Sequence, residues 1–220
     1  MEKKMDYETA RRNMIESQIR TNKVTHAALL DALAAVPRER FLPPERAFAA
    51  YVDEDIPVAP GRYLMEPMVF ARLVQLAEPR PADRALVAGS GCGYGAAVLA
   101  RLVASVVALE SDPQLAARGR ERFAQLGIRE ASQVTGPLAR GWPGAAPYDL
   151  ILIEGAVEEV PQPLVDQLGD GGRLVTVVQA ERIGRATLFV KRDSVVSHRP
   201  YFDAAVPVLA EFRRPRGFVF

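Results

Sequence analysis

The chain has 220 residues, a length that suits one large domain with a full core. Its 28 lysines and arginines stand against 27 aspartates and glutamates, and the resulting net charge of +1 carries no bulk nucleic-acid footprint. The one cysteine excludes an internal disulfide framework; no apolar run reaches about 18 residues and no N-terminal stretch reads as a signal peptide, so a cytoplasmic protein without a membrane span is expected.

Met1 to Gln18 reads as a helix, with Asp6 or Thr9 as its cap and an apolar stripe at Met14, Ile15 and Ile19. Thr25 is the expected N-cap of a second helix that turns Leu29, Leu30, Leu33 and Val36 inward and ends at Pro37. Pro37 to Pro44 is irregular, and Tyr51 to Pro67 reads as a long loop with little regular pattern, a length that is usually functional or disordered. Pro67 opens a helix over Met68 to Ala77.

The run Ala85 to Ala88 is short, apolar and bounded by charge and glycine, as in a buried parallel strand. Gly89, Gly91, Gly93 and Gly95 follow at alternate positions, then a helical apolar pattern at Ala96, Ala97, Val98, Leu99 and Leu102. Strand, glycine turn and helix make the nucleotide-binding start of a βαβ unit, where glycine lets a ligand lie directly on the main chain. The spacing is G-x-G-x-G, the form used by class I S-adenosylmethionine methyltransferases. A dinucleotide fingerprint counted from Gly89 would need its third glycine where Tyr94 stands; counted from Gly91 it falls on Ala96, a substitution that fingerprint tolerates. A second strand, Val103 to Leu109, runs into Glu110, whose carboxylate can accept both ribose hydroxyl protons.

Helix Pro113 to Leu126, strand Ser132 to Thr135, strand Asp149 to Glu154, helix Pro161 to Leu168, turn Asp170 to Gly172 and strand Arg173 to Val178 follow in clean alternation. Thr187 to Lys191 and Val206 to Phe212 are expected to close the sheet. The pattern is α/β: a doubly wound, mostly parallel sheet whose ligand lies outside the carboxyl ends of the strands. Gly89, Glu110, Gly136 and Glu154 all fall at such ends.

Along nearly its full length the chain resembles the protein-L-isoaspartate O-methyltransferases. The resemblance rests on Met14 to Ile19, Ala35 to Pro43, Tyr51 to Val58, the glycine motif Gly89 to Ala100, Tyr148 to Ile153, Val160 to Leu168 and Gly171 to Val175. It implies a seven-stranded Rossmann-like fold with an N-terminal helical extension, as one domain over residues 1–220: extension and active-site loop over 1–80, cofactor-binding sheet over 81–220. It implies S-adenosyl-L-methionine as cofactor, held by Gly89, Ser90, Gly91, Gly93, Tyr94, Glu110, Ser111, Pro137, Leu138 and Glu154, with no metal. The activity implied is methylation of isoaspartyl carboxylates in damaged proteins or peptides, without nucleic-acid or membrane partners.

Two departures bear on that activity. The family's loop reads Gly-Gln-Thr-Ile-Ser-Gln-Pro, and the same register here is Gly61-Arg-Tyr-Leu-Met-Glu-Pro67. Met65 replaces the hydroxyl thought to act in catalysis, and Glu66 replaces the neighbouring glutamine. The family's Gly-Asp-Gly becomes Gly136-Pro-Leu138, so a polar cofactor contact is lost or moves to the backbone. Methylating a carboxylate needs no general base, because the acceptor is already anionic at neutral pH. Positioning and exclusion of water remain. A different acceptor, a small molecule or a peptide, and a cofactor-binding protein without catalysis stay open beside the repair reading. Met65 fills the core or lines a remodelled pocket, and Tyr94 covers the cofactor or packs beside the turn. Cys92 reads as a packing residue and Trp142 as loop packing. His26 and His198 lack ligand spacing, and Arg213, Arg214 and Arg216 form a solvated basic tail.

Overall fold

The computed structural model describes residues 6–180 and 183–214. The first helix, α1 (Tyr7–Met14), is capped by Asp6, whose Oδ1 accepts the Thr9 N–H at 3.0 Å, and it runs on through a π-helical turn, Ile15–Ile19. Met1 to Met5, where that helix was expected to begin, lie outside the described residues. Helix α2 (Ala27–Ala35) is capped by His26, not by Thr25 as the sequence suggests. The His26 Nδ1 accepts the Leu29 N–H at 3.1 Å, while the Thr25 and His26 N–H groups both donate to Gln75 Oε1, at 2.7 and 3.1 Å. Two 3-10 turns, Arg38–Phe41 and Pro44–Ala49, follow.

The stretch expected to be a loop contains a small antiparallel hairpin, β1 (Ile56–Ala59) with β2 (Arg62–Leu64). It escapes a sequence pattern because the strands are three and four residues long and carry a proline. Its alternation is real, with Ile56, Val58 and Leu64 turned into the core and Gly61 at φ +67° in the turn. Helix α3 (Pro67–Leu76) places Pro67 in its first turn.

The main sheet is built from β3 (Arg84–Ala88), β4 (Ser105–Glu110), β5 (Ala131–Thr135), β6 (Tyr148–Val157), β7 (Leu168–Ala180), β8 (Ile183–Arg192) and β9 (Val195–Asp203). Between them stand α4 (Tyr94–Leu99), α5 (Pro113–Leu126) and α6 (Gln162–Asp166). Strand order is β5-β4-β3-β6-β7-β8-β9; the pairs from β5 to β7 are parallel and the last two are antiparallel. A mostly parallel, seven-stranded sheet is what the alternation predicts. The expected turn at Asp170 to Gly172 is a bulge inside β7: Tyr148 faces Leu168, yet Leu150 faces Arg173, and Gly171 takes φ +71°.

The expected end of the sheet fails as well. Val206 to Phe212 does not close the sheet; the edge belongs to β9, whose residues are nearly all polar or exposed and give no apolar run. Strand β3 ends at Ala88, opposite Ile153, so the last turn-ward residues of β6 run on without a partner on that side. The C-terminal segment fills this gap. The Ala156 N–H donates to the Pro207 carbonyl and the Leu209 N–H to the Ala156 carbonyl, both at 3.0 Å.

Alternate strand residues feed two core layers. Ala85, Val87, Ala108, Leu150 and Leu152 pack with helices α1 to α5, and Leu86, Ala88, Ile151, Ile153 and Leu174 pack with α6, Leu138 and Leu209.

Candidate active site

The glycine turn is fixed by its own backbone. Gly89, Gly91 and Gly93 have φ of +78°, +53° and +91°, a region that L side chains rarely adopt. The Gly89 and Ser90 N–H groups donate to the Leu109 carbonyl at 2.9 and 3.1 Å, and the Gly93 N–H donates to the Ser90 carbonyl at 2.7 Å. The Ser90 hydroxyl accepts from Gln133 Nε2 at 2.7 Å, tying the turn to β5. A Cβ on Gly93 would stand 2.7 Å from the Phe123 ring, whereas one on Gly91 would meet only Val58, at 4.0 Å. The buried main chain at Gly91 therefore has room beside it for an added group.

Beside it sits Glu110, fully buried at the end of β4. Its Oε1 accepts the Ser111 N–H at 2.8 Å and the Asp112 N–H at 3.0 Å; its Oε2 accepts the Gly91 N–H at 2.9 Å. Arg62, from the hairpin, donates from Nε to the same carboxylate, at 3.0 Å to Oε1 and 3.3 Å to Oε2. The other end of the guanidinium bonds the Ser111 hydroxyl at 2.7 Å and pairs with Glu211, which also accepts from Ser111 at 2.6 Å. Sequence reasoning missed Arg62 and Glu211. The signal for Arg62 was there: a cation where the resembling family has glutamine, in a segment otherwise rich in acids.

The Gly89 wall is apolar. A Cβ on Gly89 would meet Leu209 Cδ1 at 2.9 Å and Leu138 Cδ1 at 3.7 Å. Leu138 is buried here, but its neighbour Pro137 faces solvent. The Gly136 N–H donates to the Glu110 main-chain carbonyl at 3.0 Å. Glu154 ends the opposite wall, with only 9% of its surface exposed. Its carboxyl lies so close over Gly95 that a Cβ at that position would force it to move. Burial pushes its pKa up to about 8, helped by Glu110 and opposed by Arg38 and the Gly95 N–H.

Tyr94 does not cover this wall with its ring. The ring turns into the core, 5.6 Å from Phe41 and 5.4 Å from Phe70, with the Arg38 guanidinium 4.9 Å from its centroid. Arg38 is 1% exposed and spends its donors on main-chain carbonyls: Nε on Ala50 at 2.7 Å and Nη2 on Met65 at 2.5 Å. Met65 itself is 3% exposed, so its thioether belongs to the core packing under the loop. Glu66 is half-buried, and its N–H donates to Asp55 Oδ1 at 2.9 Å. Burial, and then the charges of Asp53 and Asp55, push its carboxyl up to about 7.

Ser90, Gly91, Glu110, Ser111, Leu138 and Glu154 thus come together at the carboxyl ends of neighbouring strands, while Pro137 and the Tyr94 ring stand apart. Cys92 is buried and its thiol is pushed up by desolvation, the opposite of an activated nucleophile. His198 stacks on Phe189 at 5.2 Å, and Trp142 packs against the second core layer. Among the described residues no group of three His, Cys, Asp or Glu side chains is placed to hold a metal, and no helix is long and apolar enough to cross a membrane. In the basic tail, the Arg214 guanidinium pairs with Glu159 at 3.3 Å; Arg216 lies outside the described residues.

A family model described as protein-L-isoaspartate(D-aspartate) O-methyltransferase matches residues 9–208. The protein-L-isoaspartate O-methyltransferase of Methanoculleus marisnigri is 38% identical over 203 residues, 92% of each chain. That of Methylorubrum populi is 42% identical over 171 residues, 78% of this chain and 80% of its own. A solved protein-L-isoaspartate O-methyltransferase superposes with a TM-score of 0.78 at 25% identity, over 90% of this chain and 65% of that one. A Plasmodium falciparum structure of the same kind, in complex with S-adenosyl-L-homocysteine, gives a TM-score of 0.77 at 17% identity, over 94% of this chain and 100% of that one.

Proposed function

This chain belongs to the protein-L-isoaspartate(D-aspartate) O-methyltransferase family, and on that premise we propose that it methylates isoaspartyl carboxylates in damaged proteins, using S-adenosyl-L-methionine. The observation that carries the cofactor half is the buried Glu110 carboxylate bonded to the Gly91 backbone. A ribose diol is a pair of O–H donors, and a carboxylate without donors of its own is its complement. Gly89, Gly91 and Ser90 would carry the rest of the nucleoside side by main-chain contact, with Leu138 as an apolar wall. When bound, the cofactor supplies an electrophilic methyl group on a cationic sulfur.

The chain's own residues do the positioning. Arg38 grips the Met65 carbonyl and fixes the path of the loop that would face the acceptor. The buried walls, Leu209 and Leu138 among them, exclude water, so opposite charges attract more strongly there than in solution. Glu154, held largely protonated at neutral pH, adds no negative charge against an incoming carboxylate. Glu66 is near half-protonated at pH 7 and adds a partial one. We assign the whole chain to one methyltransferase unit acting on a protein or peptide.

The test is a methylation assay with labelled cofactor and matched isoaspartyl and aspartyl peptides. Wild type methylates the isoaspartyl peptide selectively but slowly, because Met65 supplies no hydroxyl donor. Met65→Ser raises kcat by about 10-fold and at most about 100-fold, the scale of one oriented donor, with little change in cofactor affinity. Glu66→Gln adds to the gain by removing a like charge, though adjoining residues need not act additively. If wild type, both single variants and the double variant all bind cofactor yet methylate neither peptide, the acceptor is a different one. The two carboxyls and the missing hydroxyl would then define its pocket.

A further inference from the structure

The Glu110 carboxylate is fully subscribed. It accepts three main-chain N–H groups and the Arg62 Nε–H, against about four acceptor positions on a carboxylate. The reading above asks it to accept two ribose hydroxyls as well. The three amides cannot leave, because they belong to the glycine turn and to the start of α5. Arg62 can. It stands next to Gly61, which is exposed at the hairpin turn and where even an added Cβ would meet nothing within 4 Å.

Arg62 also has somewhere to go. Its Nη2 is already bonded to the Ser111 hydroxyl at 2.7 Å and paired with Glu211, whose carboxylate Ser111 orients at 2.6 Å. Glu211 stands on the 3-10 turn Ala210–Phe212, two residues after Leu209, which closes the Gly89 end of the same seat. The guanidinium therefore sits between two carboxylates, one at the seat and one at its rim.

We infer that Arg62 is an exchangeable occupant of the ribose position: it competes with the ribose diol for Glu110 and, when displaced, is retained by Glu211 and Ser111. This rests on the cofactor reading, and it predicts opposite effects from the two ends of one ion-pair chain. Removing Arg62 removes the competitor and leaves Glu110 a buried charge in need of donors, so ligand binds more tightly. Removing the Glu211 charge takes away the displaced guanidinium's partner, so ligand binds more weakly. A purely structural strap would lose affinity in both.

The experiment is calorimetry with S-adenosyl-L-homocysteine on wild type, Arg62→Gln and Glu211→Gln, with melting of each protein with and without ligand. Arg62→Gln should lower Kd by about 10-fold while melting lower in the absence of ligand, so that its ligand-induced rise in Tm is larger than that of wild type. Glu211→Gln should raise Kd by about 5-fold. Should Arg62→Gln fail to fold, Arg62→Lys takes its place with the same expected and overturning results, because a lysine lacks the guanidinium fork that holds Glu110 and Ser111 together; Glu211→Gln, at the rim, leaves the core intact. An unchanged or tighter Kd there, or a weaker Kd in Arg62→Gln, overturns the exchange while leaving the cofactor reading in place. No binding by any of the three overturns both.

Discussion

The glycine turn (residues 88–94) and the loop that would face the acceptor (residues 51–67) lie side by side and are specified in opposite ways. In the turn, three glycines at positive φ set the path, and its bonds run to the adjoining strands. In the loop, the path is set from outside: Arg38 reaches the Met65 carbonyl, 27 residues away in sequence, and Arg62 reaches Glu110, 48 away. The first region is set chiefly by its own residues. The second can be undone from elsewhere.

The largest expected effect tests the remote control. Arg38→Met leaves the Ala50 and Met65 carbonyls unpaired in the core and removes the cation that favours Glu154 ionisation. Urea unfolding should show a loss of about 3–5 kcal/mol, the cost of breaking a buried ionic group's bonds. Next, glycine substitutions separate local from remote control. Gly93→Ala combines φ of +91° with a Cβ 2.7 Å from Phe123 and should cost about 2–4 kcal/mol. Gly61→Ala in the hairpin meets no atom and carries only the backbone strain of φ +67°, about 1 kcal/mol. Equal losses at the two positions would erase the contrast.

A smaller effect comes from Glu154, whose pKa is about 8 in the fold against an ordinary 4.5. Between those values the folded protein holds a proton that the unfolded chain has released. Its contribution is therefore fully present below about pH 4.5, falls as pH rises through about 8, and is constant above. Glu154→Gln lacks this dependence. Melting curves at pH 5.5 and 9 should show the variant gaining on wild type by at least about 2 °C at the higher pH, the shift about 1–2 kcal/mol gives a chain of this size. Glu66 titrates in both proteins and cancels in the difference. A pH-independent gap would mean that Glu154 stays ionised in the fold.

What was legible in the sequence divides along the same line. The β3 turn, the helix Pro113 to Leu126 and the placement of Glu110 could be read, because each depends on neighbours a few residues away. Val206 to Phe212 was misread as a strand because an apolar run says nothing about where a gap opens, and the gap was made by the early end of β3. Strand β9 was missed because an exposed edge does not need apolar alternation. Thr25 lost the cap to His26 through Gln75, which lies 50 residues on. Arg62 and Glu211, 149 residues apart, meet only in the fold.

Arg38 ends on two carbonyls, and every residue except for its side chain has the same carbonyl. The grip is blind to what stands at positions 50 and 65. Replacing Glu66 alters charge and hydrogen bonding at the loop surface, and replacing Met65 alters the packing under it, while the anchor holds the same main-chain atoms. The loop thus behaves as an interchangeable lining on a fixed frame. A change of acceptor in this scaffold would begin with residues 65 and 66, and would leave Arg38, Gly93 and Glu110 as they are.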